Sequence, residues 1–126
     1  MAKKVKPPDN DEPDSPLERT VLRRILTLTN LPAPEQQYCV EGDTHPMDFA
    51  WPDKRLALEV QGGVGSGGAH VRWNGVIRDH DKANYAVARG WRVMFFDTDF
   101  ERDPWTRLEA LVAAWHYGST LQDESD

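Results

Sequence analysis

Two carboxylates with ten residues between them, Asp48 in Met47-Asp48-Phe49-Ala50-Trp51 and Glu59 in Leu56-Ala57-Leu58-Glu59-Val60-Gln61, are where this sequence could do chemistry. Both segments alternate apolar with small or polar residues, the period of a strand with one face in a core, and Pro52-Asp53-Lys54-Arg55 between them is turn chemistry. They should form a hairpin. With a two-residue loop at Asp53-Lys54, Trp51 pairs with Leu56, Ala50 with Ala57, Phe49 with Leu58 and Asp48 with Glu59. Directly opposed residues stand roughly 4.5–5.5 Å apart at Cβ, and two like charges about 5 Å apart repel by about 3 kcal/mol at an effective dielectric near 20. A hard dication compensates for that. Mg²⁺ takes one or two carboxylates together with waters and substrate phosphate oxygens, and the small Ala50 and Ala57 on the same face leave room for it. Solvated strand carboxylates with no metal between them are the plain alternative.

Downstream residues add to the set. Gln61 follows on the polar face, and His70 lies beyond a glycine-rich stretch at 62–69. Arg72 and Arg78 are candidate phosphate contacts, and Trp73 between Arg72 and Asn74 could stack on a base or wedge between base steps. Lys82 could bring an ammonium to the carboxylates, although Asp79 and Lys82 at i,i+3 on a helix also make a simple surface pair. A tryptophan in a core and a histidine in a loop are equally ordinary structural readings. Glu18 is explained by capping alone, since Ser15-Pro16-Leu17-Glu18 is a capping box with proline at the first helical position.

These residues need a scaffold, and the pattern supplies one. Leu17, Val21, Leu22, Ile25 and Leu26 fall on one helical stripe, predicting a first helix over about 16–29 that ends at Asn30-Leu31-Pro32. A short strand is expected over 37–40, then the hairpin strands, then a helix over about 75–89 with Val76, Ala83 and Val87 on one face and Gly90 as its stop. Trp91–Phe96 reads as a fourth strand. Asp103-Pro104 opens a last helix carrying Trp105, Leu108, Leu111, Val112 and Trp115 before Gly118. The order αβββαβα predicts an α/β fold, a mixed central sheet flanked by helices. Residues 1–14 read as a disordered lead-in, 15–118 as one domain and 119–126 as a polar tail.

Composition bounds the function. The chain has 126 residues, 39% of them apolar and 29% charged, with nine glycines, nine prolines and five tryptophans, which excludes collagen, coiled coil and disulfide-stapled miniproteins. A single cysteine, Cys39, can make neither an intrachain disulfide nor a thiolate zinc cage. No apolar run approaches the ~20 residues of a membrane span and no signal-peptide core precedes the first helix, so a cytoplasmic protein without membrane contact is expected. Net charge is −6, yet the sign is unevenly spread. From Lys54 to Arg92 seven basic residues face three acidic ones, whereas from Asp97 onward eight acids face two arginines. Only the middle third is electrostatically suited to phosphate.

Asp48 and the Glu59-Val60-Gln61 that follows after ten intervening residues resemble the D…(D/E)-x-K signature of the PD-(D/E)XK nuclease superfamily, and the αβββαβα order is similar to its core. Met47-Asp48-Phe49-Ala50-Trp51-Pro52, Leu58-Glu59-Val60-Gln61-Gly62-Gly63, His70, Asp79-His80-Asp81-Lys82-Ala83-Asn84 and Gly90-Trp91-Arg92-Val93 resemble its very-short-patch-repair-like branch of small endonucleases, often carried by phages. The resemblance spans about 16–117. It implies a restriction-endonuclease-like fold and a metal-dependent endonuclease acting on DNA, with Mg²⁺ (or Mn²⁺) held by Asp48, Glu59 and the Val60 carbonyl or the Gln61 side chain. His70 or Lys82 would carry a proton or a charge, and Glu18 would hydrogen-bond metal-bound waters. The departure is Gln61, where the pattern has lysine: a neutral amide replaces an ammonium, and Lys82 is the candidate substitute. One or two metals, monomer or homodimer, and the DNA feature recognised are left open. A DNA-binding module of this fold without turnover and a phage structural or assembly protein are the competing readings.

Overall fold

The computed structural model describes residues 15–62, 77 and 80–125, with the helical backbone alone for 119–125. His70, Arg72, Trp73 and Arg78, the glycine-rich stretch from 63 onward and the lead-in 1–14 lie outside the described residues.

Helix α1 (Pro16–Leu28) begins as its sequence requires: Ser15 Oγ accepts the Glu18 N–H at 3.0 Å and proline occupies the first turn, where a missing donor costs nothing. Thr29 closes it, its N–H and its hydroxyl (2.7 Å) both donating to the Ile25 carbonyl. Strand β1 is Glu35–Tyr38, two residues earlier than the expected Gln37-Tyr38-Cys39-Val40. Its position is set by pairing with β2 (Met47–Trp51), which matches Glu35 to Ala50, Gln36 to Phe49 and Tyr38 to Met47.

The hairpin of β2 with β3 (Leu56–Val60) has the expected register: Phe49 opposite Leu58, Ala50 opposite Ala57, Trp51 opposite Leu56. Its turn is a 3-10 turn over Pro52–Lys54, followed by Arg55 at φ +51, so a left-handed residue absorbs the twist. Residues 77 and 80–88 are helical, and 80–88 is α2. Strand β4 (Arg92–Phe96) then runs parallel to β3, as a strand returning through a helical crossover must. The sheet order is β1-β2-β3-β4, with the other neighbours antiparallel.

Helix α3 (Pro104–Ser125) starts at Asp103, whose Oδ1 accepts the Thr106 N–H at 3.2 Å. It runs through Gly118, where the sequence suggested a stop. The Arg92 guanidinium explains the glycine: it donates to the carbonyls of Ala114 in α3 and Lys54 in the hairpin turn, and a Cβ at Gly118 would run into it.

Two apolar clusters sandwich the sheet. Val21 and Ile25 of α1 and Leu108 and Leu111 of α3 pack with Phe49, Trp51, Leu56, Leu58, Val60 and Phe96. A short 3-10 turn over Thr98–Glu101, which the sequence pattern did not reveal, adds fully buried Phe100, its ring 5.2 Å from that of Phe96. On the other face Ala86 of α2 packs with Ala50, Ala57, Val40 and Trp91. Met47 belongs to this second cluster rather than with Phe49 and Trp51, because it opens its strand opposite Tyr38 beside Val40. The protein is a mixed α/β fold with a four-stranded mixed sheet flanked by helices, and three alanines let α2 lie close against it. Among the described residues no helix is long and apolar enough to cross a membrane.

Candidate active site

Continuing the hairpin register one step past Phe49 and Leu58 sets Asp48 opposite Glu59, on the sheet face of Ala50 and Ala57 that α2 covers. Each group is held. Asp48 Oδ2 accepts the Val60 N–H at 2.7 Å, so the carboxylate is tied to the backbone of the strand that carries its partner. Glu59 is 3% exposed, an extreme burial for a carboxyl. From α2, Lys82 reaches down with its ammonium 2.7 Å from Glu59 Oε2 and donates to the Pro46 carbonyl at 2.8 Å. The ammonium and the carboxyl are in direct salt-bridge contact.

The electrostatics follow from this crowding. Burial, then the charge of Asp48, push the Glu59 carboxyl up to about 8, against the opposing pull of Lys82. The metal-free site therefore resists carrying two bare carboxylates, and Glu59 holds its proton to a higher pH than a free carboxyl does. The donor chemistry suits Mg²⁺. Two hard oxygens would occupy part of an octahedral shell and leave the rest to water and substrate, and a dication would relieve the repulsion that raises Glu59. Among the described residues no three of His, Cys, Asp and Glu gather into a metal-sized group, so a third ligand would come from backbone, amide or solvent.

The structure brings Asp48, Glu59, Val60 and Lys82 together. Gln61 follows β3 directly, half-buried, with its N–H donating to the Phe96 carbonyl at 2.8 Å. Glu18 is on α1, whose buried Val21 and Ile25 belong to the cluster on the opposite face of the sheet, and it does not join Asp48 and Glu59 in a metal-sized group. Three participants had no sequence signal. The Pro46 carbonyl and Val60 N–H are backbone groups that only the fold aims at these side chains. Gln37, opposite Asp48 in the β1–β2 register, has φ +53, a left-handed conformation rare for a residue with a Cβ and one that residue type does not announce.

No family model matches the chain and no solved structure matches it. It is 31% identical over 98 residues to two uncharacterized proteins of Mycobacterium tuberculosis, one from strain CDC 1551 / Oshkosh and one from strain H37Rv. The match covers 72% of this chain and 33% of each of them, so the chain spans about a third of the length of the curated relatives it matches.

Proposed function

We propose that this chain is a Mg²⁺-dependent endodeoxyribonuclease that hydrolyses phosphodiester bonds in DNA, built on a restriction-endonuclease-like αβββαβα core. The observation that carries the reading is the Lys82 ammonium 2.7 Å from buried Glu59, beside a second carboxylate anchored across the hairpin. Two hard ligands and one fixed cation suit phosphodiester hydrolysis, and Glu59 and Lys82 lie within the basic stretch from Lys54 to Arg92. The order of three antiparallel strands, a helix and a strand parallel to the third supports the same core.

Asp48 and Glu59 would hold Mg²⁺ or Mn²⁺, with the Val60 carbonyl or Gln61 side chain completing the protein ligands. Bound there, the cation would supply a more acidic water and shield charge developing on the phosphorus oxygens. The chain's own groups do the positioning. Asp48 is fixed by the Val60 N–H, Glu59 by burial, and Lys82 by its ion pair and the Pro46 carbonyl, so none needs to reorganise far. Lys82 takes the part of the lysine replaced by Gln61, presenting an ammonium to the attacking water or to a phosphate oxygen.

A second reading has one observation in its favour. Gln61 brings no charge of its own, and Lys82 is already committed to Glu59 and Pro46, which suits a module that binds DNA with little or no turnover. Plasmid nicking with Mg²⁺ or EDTA, comparing wild type with Glu59→Ala, decides between them. Nicking confined to wild type with Mg²⁺ is expected. Equal nicking by Glu59→Ala overturns the site assignment, and DNA retention without nicking selects the second reading.

A further inference from the structure

A cleft of about 510 Å³ opens at the turn end of the hairpin, lined by Arg55, Arg89, Tyr38, Trp91 and Glu41 among others. Both arginines are exposed, yet each is fixed from behind. Arg55, in its left-handed turn position, donates Nη1 to the Arg89 carbonyl at 3.1 Å, capping the end of α2. Arg89 lies flat on the Tyr85 ring, 3.4 Å from its centroid, and donates Nη1 to the Tyr85 carbonyl at 3.1 Å. Each spends one amine on a backbone carbonyl and keeps its remaining donors. Among the described residues neither has a carboxylate partner. Surface arginines held in place without acids have already lost much of their rotamer freedom, and planar forks of this kind match phosphate oxygens.

Their distance from Glu59 gives the cleft a meaning. Arg55 precedes Glu59 by four residues of strand, about 13 Å at roughly 3.3 Å per residue. Arg89 follows Lys82 by seven residues, about 10 Å along the helix at roughly 1.5 Å each. Both routes run along the same sheet face from the carboxylates to the cleft. A strand of B-DNA winds around its axis as it rises ~3.4 Å per nucleotide, which sets successive phosphates roughly 7 Å apart, so the span corresponds to about two phosphates.

We propose that Arg55 and Arg89 form a clamp for one DNA backbone phosphate, about two nucleotides from the bond held at Asp48 and Glu59. The clamp rests on the nuclease reading and adds a direction to it: the bound strand runs along the α2 face from the carboxylates toward the hairpin turn. Glu41 on the rim opposes an anion and limits the clamp's strength, so removing its charge strengthens it.

Fluorescence anisotropy of a labelled DNA duplex, titrated with the full chain in Mg²⁺-free buffer over a range of KCl, tests this. Arg55→Gln and Arg89→Gln should each weaken binding several-fold and lower the slope of log K against log salt by about 0.9, the pair together by about 2. Glu41→Gln should tighten binding. Arg89→Gln is decisive by itself if loss of the α2 cap unfolds the Arg55 variant, because the hydrogen bond and ring contact of the Arg89 side chain are both with Tyr85, one turn back on its own helix. A wild type that binds DNA while the arginine variants keep its slope overturns the clamp and leaves the nuclease reading standing. A wild type that does not bind the duplex overturns both.

Discussion

At the scale of single residues the site is a problem of charge in a confined place. Glu59→Gln and Asp48→Asn keep shape and remove a ligand charge, so each should abolish Mg²⁺-dependent nicking while the fold persists and DNA binding stays similar or tightens. Retained cleavage in both variants would sink the assignment. The raised Glu59 also makes a pH prediction whose sign is determined. A carboxyl at about 8 in the folded protein against 4.5 in its ordinary state binds its proton more tightly when folded. The resulting stability is complete below about 4.5 and is lost as pH rises through about 8. In EDTA, Tm should fall between pH 6 and 9, and Glu59→Gln should flatten that fall. Calorimetric Mg²⁺ titrations at neutral pH in buffers of different ionisation enthalpy should reveal proton release on binding, because the cation displaces the Glu59 proton.

At the scale of elements, the site depends on what α2 and α3 are fastened to. Lys82 connects α2 to β3, and if it replaces the lysine missing at Gln61, Lys82→Ala should cut the cleavage rate far more than DNA affinity. Adding Gln61→Lys should then restore part of the rate. An affinity loss with a salt slope lower by about one would make Lys82 a phosphate contact only. Arg92 fastens α3 to the hairpin turn through the carbonyls of Ala114 and Lys54. Helical propensity alone favours Gly118→Ala by about 1 kcal/mol, but here the new methyl displaces that guanidinium. Gly118→Ala should therefore lower Tm in the wild type and raise it in an Arg92→Ala background. A thermal-denaturation cycle over the four proteins measures this reversal, and additive effects would show that Arg92 and Gly118 are not coupled.

For the molecule as a whole, both faces of β3 are covered, and the strands that carry Asp48 and Glu59 are packed into that core. Phe100, fully buried against Phe96 in a turn between β4 and α3, should cost about 3–5 kcal/mol when replaced by alanine, read from urea denaturation. Ligand binding should act in the opposite direction. A cation that binds only the native state stabilises it by about 2.7 kcal/mol at a hundredfold excess over its Kd, so Mg²⁺ should raise Tm in wild type and not in Asp48→Asn. An equal rise in both proteins would place the cation elsewhere.

Much of this arrangement is local in origin and so was legible in the residues. Ser15-Pro16 and Asp103-Pro104 open helices because caps and proline act within one turn, and the register of Phe49, Ala50 and Trp51 on Leu58, Ala57 and Leu56 follows from a short turn and a period of two. That register alone sets Asp48 against Glu59. Contacts between elements distant in sequence decided the rest. Strand β1 took its place from pairing with β2, Met47 joined the α2-side cluster, and α3 passed through Gly118 because Arg92 fills the space a side chain would need. Lys82 could be suspected as the substitute for the lysine that Gln61 replaces in the resemblance, but only the packing of α2 on Ala50 and Ala57 brings its ammonium to Glu59, since a helix places its side chains by the surface it docks on rather than by its own sequence.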